Sequence, residues 1–155
     1  KFKILIGQSD NFPLKPDPAS ALEVARANAA RLRLPADWAL RDILREDTQS
    51  AEEWDVIVSN PPYIPPSEKT LMPPQVLDYE PSLALFVEEE DPLLFYRVIL
   101  AYARQHLAPR GTLFFELNEH HSQAVGELGR KFGFSSRDLN ISLGLKAQIH
   151  LIDRQ

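Results

Sequence analysis

A short apolar run is followed, one residue later, by two consecutive prolines, and these two features together constrain the fold of this chain. The run covers residues 54–59, reads Trp-Asp-Val-Ile-Val-Ser, and is followed by Asn60, Pro61, Pro62 and Tyr63. Its β-branched residues and short length predict a strand that is buried on both faces. Each proline fixes φ and lacks an N–H, so the strand ends there in a rigid turn.

Strand and helix patterns alternate along the rest of the chain. Asp-Pro pairs, which are typical of helix starts, stand at 17–18 and 91–92, and a Pro-Arg-Gly stop stands at 109–111. The predicted helices cover 19–34, 93–107 and 122–132, and the predicted strands cover 54–59, 112–117, 134–139 and 147–152. This order indicates an α/β domain with a mainly parallel sheet, in which ligands bind at the carboxyl ends of the strands.

Prolines crowd the middle of the chain. Seven of the 13 prolines lie between residues 61 and 81. Because that density is incompatible with regular structure, we expect a long ordered loop over 61–90, on the substrate side of the sheet. A length of 155 residues leaves room for one domain, so residues 1–155 are assigned to a single, partial domain.

Composition argues against several classes of function. The chain has no cysteine, and its four histidines lack the spacing of a zinc site, so no metal is expected. A net charge of −5 argues against a nucleic-acid partner. No apolar run approaches the roughly 20 residues of a membrane span. We therefore expect a soluble cytoplasmic protein without a membrane partner, and its oligomeric state is left open.

The turn after the apolar run presents hydrogen-bond acceptors. Pro61 and Pro62 have no N–H, so the backbone beside the Asn60 side chain is rich in carbonyl oxygens. Two carbonyl-type acceptors suit the two hydrogens of a planar –NH2 group, and the Tyr63 ring suits its flat face. The alternative is structural: the prolines only end the strand, and Tyr63 packs in the core.

Several segments around this turn carry a family resemblance. They are Asn-Pro-Pro-Tyr-Ile-Pro at 60–65, Leu-Asp-Tyr-Glu-Pro-Ser-Leu-Ala-Leu-Phe at 77–86, Asp-Pro-Leu-Leu-Phe-Tyr-Arg at 91–97, Leu-Ala-Pro-Arg-Gly at 107–111 and Phe-Phe-Glu-Leu-Asn-Glu at 114–119. In these segments the sequence resembles the release-factor glutamine methyltransferases of the HemK/PrmC type. The resemblance implies a Rossmann-like class I methyltransferase with a doubly wound sheet. It also implies methyl transfer from S-adenosylmethionine to the glutamine amide of the Gly-Gly-Gln loop in a peptide-chain release factor.

The same resemblance implies which residues act on the substrate. Asn60 and the Pro61 carbonyl would hold the glutamine amide, with Tyr63 against it and Pro62 as part of the rigid turn. Two other functions stay open. Methylation of the exocyclic amine of adenine in DNA or RNA shares the Asn-Pro-Pro-Tyr signature, although the acidic charge and the match at 78–86 count against it. The second open function is that of a non-catalytic interaction module that keeps the methyltransferase fold.

Cofactor residues are implied in the same way. Asp17 would bind the ribose hydroxyls, Asp42 would contact the adenine amine, Ile43 would lie against the adenine ring, and Asn60 would also border the cofactor. The plain alternatives are a helix N-cap for Asp17 and a solvated loop aspartate for Asp42.

The start of the chain departs from the family pattern. Residues 4–10 read Ile-Leu-Ile-Gly-Gln-Ser-Asp and lack the glycine-rich loop that cradles the methionine part of the cofactor. The helical N-terminal domain of the family is also missing, and the first residue is Lys. We expect an N-terminally incomplete representation of a longer enzyme. The alternative is a degenerate member that has lost its cofactor loop.

Two charged segments are interpreted as structural. Glu119, His120 and His121 are adjacent, and adjacent side chains point apart, so they predict solvated surface and not a catalytic group. The acidic run at 88–91 precedes a predicted helix and favours its dipole.

Overall fold

The computed structural model describes residues 2–6, 18–45, 52–72, 74, 77, 85–139 and 147–154. Its strands are β1 (Phe2–Ile6), β2 (Trp54–Asn60), β3 (Leu107–Asn118), β4 (Phe134–Leu139) and β5 (Ala147–Arg154). Its α-helices are α1 (Pro18–Leu32), α2 (Leu94–His106) and α3 (Ser122–Lys131). Every helix and strand predicted above is present, and the largest difference is the earlier start of β3.

The five described strands form one sheet in the order β1-β2-β3-β5-β4. β2 pairs in parallel with both β1 and β3. β5 is inserted between β3 and β4 and runs antiparallel to both. Four of these strands therefore share one direction and β5 opposes them. The predicted α/β architecture with a mainly parallel sheet is confirmed.

One face of the sheet carries the hydrophobic core. Ile57 of β2 and Leu113, Phe115 and Leu117 of β3 have no exposed surface. They share a core cluster with the apolar side of α2, formed by Phe95, Tyr96, Ile99, Leu100, Tyr102 and Ala103. Fully burying one such apolar side chain contributes about 1.5–3 kcal/mol, so the contact between α2 and the sheet is a main source of stability.

The opposite face of the sheet is only partly covered. Side chains alternate along a strand, so Val58 points away from the face that contains Ile57. Val58 is 40% exposed, although β2 lies between two other strands. The prediction of a strand buried on both faces is therefore wrong for β2. The apolar run reflects its central place in the sheet, but the described core cluster covers the Ile57 side.

β3 starts without a loop after α2, and the predicted Pro-Arg-Gly stop lies inside the strand. Trp54 of β2 pairs with Leu107, and Val56 pairs with Thr112. β3 therefore advances five residues while β2 advances two, so part of β3 bulges out of the ladder. Arg110 adopts a left-handed φ of 66° within this bulge.

His106, the last residue of α2, packs beside the start of β2. It is 1% exposed, and its ring stacks on Tyr102 with centroids 4.2 Å apart. Nδ1 lies 3.0 Å from the carbonyl oxygen of Glu52, and because a carbonyl only accepts, Nδ1 donates its hydrogen there. Trp54 Nε1 donates to the Tyr102 hydroxyl at 3.3 Å. These contacts fix the last turn of α2 to the start of β2.

Gly111 and Gly133 are required for different physical reasons. A Cβ on Gly111 would lie 2.8 Å from Cγ of Leu107 and 2.9 Å from the carbonyl oxygen of Ala108, whereas Gly133 has open space and a φ of +85°. We expect Gly111→Ala to lower the free energy of unfolding by about 1–3 kcal/mol through overpacking. Gly133→Ala should lower it by about 1–2 kcal/mol through backbone strain. Urea unfolding followed by tryptophan fluorescence measures both.

Asparagine separates the two causes. Gly133→Asn should cost less than Gly133→Ala, because asparagine tolerates the left-handed conformation. Gly111→Asn should cost more than Gly111→Ala, because the larger side chain worsens the clash. The opposite order at either position would contradict this assignment.

Candidate active site

The turn at residues 60–63 lies at the carboxyl edge of the parallel strands. Asn60 is the last residue of β2 and pairs with Ile6, the last residue of β1. Asn60 is exposed, whereas Pro61 and Pro62 are buried. The buried prolines hold the turn, and the exposed asparagine lies where open α/β sheets bind their ligands.

Tyr63 lies beside a buried tyrosine. Tyr63 is half-buried and packs against the core cluster, so the structural alternative for this ring is met in part. Tyr96 of α2 donates its hydroxyl hydrogen to the carbonyl oxygen of Glu116 at 3.2 Å and meets Phe115 edge-on, with centroids 5.1 Å apart. Burial, then the neighbouring Tyr63 and Glu116, raise the pKa of Tyr96 well above its usual value. Tyr63, Tyr96 and Glu116 therefore lie near one another at this edge.

The loop after the turn is closed at its base. Ile64 and Phe86 form a parallel bridge. The N–H of Ile64 donates to the carbonyl oxygen of Leu85 at 3.0 Å, and the N–H of Val87 donates to that of Ile64 at 3.0 Å. The two ends of the loop are thus held together directly behind the exposed asparagine.

A short 3₁₀ helix, Pro66–Leu71, lies within the loop. The prediction that prolines exclude regular structure over 61–90 is therefore wrong for this segment. A proline fits the first turn of a helix, where its missing N–H has no partner to lose. Residues 73, 75, 76 and 78–84 of the predicted loop lie outside the described residues.

Ser67 connects this short helix to the far end of the loop. Its hydroxyl donates to Glu89 Oε1 at 2.6 Å, and its backbone N–H donates to Glu89 Oε2 at 3.0 Å. The hydroxyl bond, then the backbone bond, lower the pKa of Glu89. The Nζ of Lys69 lies 5.9 Å from the centre of the Phe86 ring. We call this unit, residues 64–71 and 86–89, the loop base.

Asp91, the last residue of the acidic run at 88–91, has structural contacts at the start of α2. Asp91 pairs with Arg97 through their side chains. Its backbone carbonyl oxygen accepts the N–H of Leu94 at 3.1 Å, at the start of α2. The run thus joins the loop base to the helix that carries Tyr96.

Asp42 and Ile43 have local contacts. Asp42 is half-buried; its Oδ1 accepts the N–H of Leu44 at 2.9 Å, and its Oδ2 lies 3.5 Å from Nε of Arg45. Ile43 is 4% exposed and belongs to the core cluster. A carboxylate with one such bond per oxygen keeps further acceptor capacity. The cofactor roles of both residues stay predictions.

Asp17, a predicted cofactor residue, lies outside the described residues, and so does the segment 7–16 that follows β1, where the family pattern has its glycine-rich loop. Asn60 is thus the predicted cofactor residue that the structure sets at the carboxyl edge.

His121 differs from its prediction as solvated surface. His120 is exposed, but His121 is half-buried, and its Nε2 is buried without a hydrogen-bond partner among the described residues. His121 is the N-cap residue of α3, and its side chain makes no capping hydrogen bond there. The described part of the chain contains no group of three possible metal ligands. None of its described helices is long and apolar enough to cross a membrane.

Several curated proteins are similar to the chain in sequence. The release factor glutamine methyltransferase of Bacteroides thetaiotaomicron is 46% identical over 103 residues, which cover 66% of this chain and 37% of that protein. The enzyme of the same name from Flavobacterium psychrophilum is 40% identical over 119 residues, 77% of this chain and 41% of that protein. The chain resembles release factor glutamine methyltransferases. It spans 37–41% of the length of these two relatives. No protein-family model matches the chain.

Solved structures show the fold. A methyltransferase from Pyrococcus furiosus superposes on this chain with a TM-score of 0.56 at 20% sequence identity. The superposition covers 87% of this chain and 57% of the Pyrococcus chain. An O-methyltransferase family protein from Burkholderia thailandensis superposes with a TM-score of 0.56 at 12% identity, covering 89% of this chain and 42% of its own. The predicted Rossmann-like class I methyltransferase fold is confirmed.

The sequence patterns give little sign of the contacts that support the turn. Tyr96 lies on the apolar face of α2, where spacing alone predicts core packing; its hydroxyl, which needs a partner when buried, is the one available signal. Ser67 and Glu89 are 22 residues apart in a loop, so no periodicity relates them.

Ser67→Ala should raise the pKa of Glu89 toward its ordinary value, because the serine hydroxyl is the largest cause of the lowering. A carboxyl whose folded pKa lies below its unfolded pKa adds stability above the unfolded pKa, and loses it as pH falls through the folded pKa. The variant should therefore lose a contribution that is present at neutral pH and disappears in acid. Carboxyl-carbon NMR titration of Glu89 measures the change. Thr70→Ala, in the same short helix, is the control, and an unchanged Glu89 in Ser67→Ala would refute the assignment.

Proposed function

We propose that this chain is part of an S-adenosylmethionine-dependent methyltransferase that modifies the side-chain amide of a glutamine in the Gly-Gly-Gln loop of a peptide-chain release factor. One observation carries the proposal: Asn60 stands exposed at the carboxyl edge, directly before two buried prolines that have no N–H. The similarity to release factor glutamine methyltransferases supports it. With such a substrate the protein would act in the cytoplasm.

The turn acts by positioning the substrate amide. Asn60 Oδ1 and the Pro61 carbonyl accept the two hydrogens of the –NH2 group, the Tyr63 ring lies against its flat face, and Pro62 keeps the turn rigid. An amide nitrogen is a weak nucleophile because its lone pair is delocalised into the carbonyl. Acceptors on both hydrogens return electron density to the nitrogen and aim its lone pair at the methyl group.

The residues present fit the chemistry of the cofactor, which supplies a methyl group on a positively charged sulfur. Its adenine amine and ribose hydroxyls are donors, and the half-buried Asp42 retains acceptor capacity. Asp42, with Ile43 next to it, and Asp17 would hold the adenosine part, and Asn60 would border it. When bound, the cofactor would supply its methyl group to the amide nitrogen and be left as a neutral thioether, and the amide nitrogen would release one proton to water.

Asn60→Ala should lower methyl transfer by about 10²- to 10³-fold, the effect of removing one preorganised hydrogen-bonding group. Cofactor binding, followed by calorimetric titration, should weaken far less than transfer. Transfer is measured as tritium moved from labelled S-adenosylmethionine to a release factor that carries its Gly-Gly-Gln loop. Asn28→Ala, an exposed asparagine on α1, should leave both quantities unchanged.

Two outcomes would replace the proposal. Tritium in adenine-containing nucleic acid, with none in the release factor, would make the chain an adenine amine methyltransferase. A folded chain that binds the release factor but not the cofactor would be a non-catalytic interaction module.

A further inference from the structure

Glu116 lies beside Asn60 in the sheet. Ser59 of β2 pairs with Phe115 of β3 in parallel register, so the next step along both strands sets Asn60 next to Glu116. Ser59 and Phe115 are 1% and 0% exposed on the core face. Because side chains alternate along a strand, Asn60 and Glu116 both point to the other face. Neighbouring strands lie about 4.8 Å apart, so the two side chains start from adjacent positions on the same face of the sheet.

The backbone of Glu116 is fixed by the core. Its carbonyl oxygen accepts the hydroxyl hydrogen of Tyr96 at 3.2 Å, and Tyr96 has no exposed surface. Tyr96 also meets the ring of Phe115, the preceding residue, at an interplanar angle of 81°. On its other side Glu116 pairs with Ile149 of β5. The half-buried side chain of Glu116 therefore starts from a rigid position one strand away from Asn60.

The proposed chemistry requires one orientation of the Asn60 amide. Its oxygen and nitrogen exchange places when the group turns by half a rotation, and the two orientations have nearly the same shape. With Oδ1 toward the substrate, Asn60 accepts from the –NH2 group. With Nδ2 toward the substrate, a donor meets a donor. A carboxylate only accepts, so a carboxylate next to Asn60 attracts Nδ2 and leaves Oδ1 for the substrate.

We propose that Glu116 is a positioning residue, which accepts a hydrogen bond from Asn60 Nδ2 and turns Asn60 Oδ1 toward the substrate amide. The proposal rests on the function proposed above. Glu116 acts through Asn60 alone in this role. A glutamine at this position can present either Nε2 or Oε1, so Glu116→Gln keeps the size of the side chain and removes the selection.

Glu116→Gln should lower kcat by about 10- to 100-fold, the size of loss that follows removal of the hydrogen-bond partners that orient metal ligands. The KM for S-adenosylmethionine and the melting temperature should stay unchanged. In an Asn60→Ala background Glu116→Gln should lower kcat no further, because the Asn60 amide that Glu116 orients is already absent. Glu53→Gln, at an exposed glutamate before β2, is the matched control. Equal losses in both backgrounds, or a lower melting temperature, would indicate a structural role instead.

Side-chain amide NMR tests the contact without any activity. In a ¹⁵N–¹H spectrum of the chain, the Asn60 –NH2 pair is the one that Asn60→Ala removes. Glu116→Gln should shift this pair, and Glu53→Gln should not. An unmoved pair overturns the role of Glu116 even if the wild-type chain methylates a release factor. A shifted pair in a chain that transfers no methyl group supports the contact and refutes the proposed function.

Discussion

The parallel pairing of β2 with β3 is the constraint on which the candidate site depends. It sets Ser59 against Phe115 in the core and, one step on, Asn60 beside Glu116 at the carboxyl edge. Tyr96 joins the two levels, since its ring lies against Phe115 and its hydroxyl donates to the backbone of Glu116. The packing that stabilises the domain therefore also fixes the positions from which the site side chains project.

Pro61 and Pro62 allow the turn after β2 to be buried without unpaired N–H groups. A buried turn normally contains N–H groups that need partners, and each unpaired one is costly. Pro61 and Pro62 are buried without such groups, so the chain turns tightly against the core and leaves carbonyl oxygens as its only backbone polar atoms there. The loop base then returns the chain to the same place through the Ile64–Phe86 bridge. An edge rich in acceptors results, and such an edge suits a substrate that brings donors.

The predictions that hold are those with a local cause. The period of side chains and the Asp-Pro and Asn-Pro-Pro signals depend on neighbouring residues, and the order of helices and strands follows from them. Most of the errors concern partners distant in sequence, whereas the 3₁₀ helix at Pro66–Leu71 has a local cause, the fit of proline to a first helical turn. Exposure of Val58 depends on what covers the second face of the sheet, and the bulge that takes up Arg110 depends on the register with β2. The bond between Ser67 and Glu89 has no local signature at all.

The supports of the site differ in how they respond to pH. Burial and its neighbours raise the pKa of Tyr96, so its hydroxyl stays protonated at neutral pH and keeps its bond to the Glu116 carbonyl. The pKa of Glu89 is lowered, so its carboxylate keeps accepting from Ser67 as the solution becomes mildly acidic. One group is thus held neutral and the other charged, each in the state that its hydrogen bond requires. Glu116, whose carbonyl oxygen accepts from Tyr96, is the acidic residue that the register of β2 and β3 sets next to Asn60.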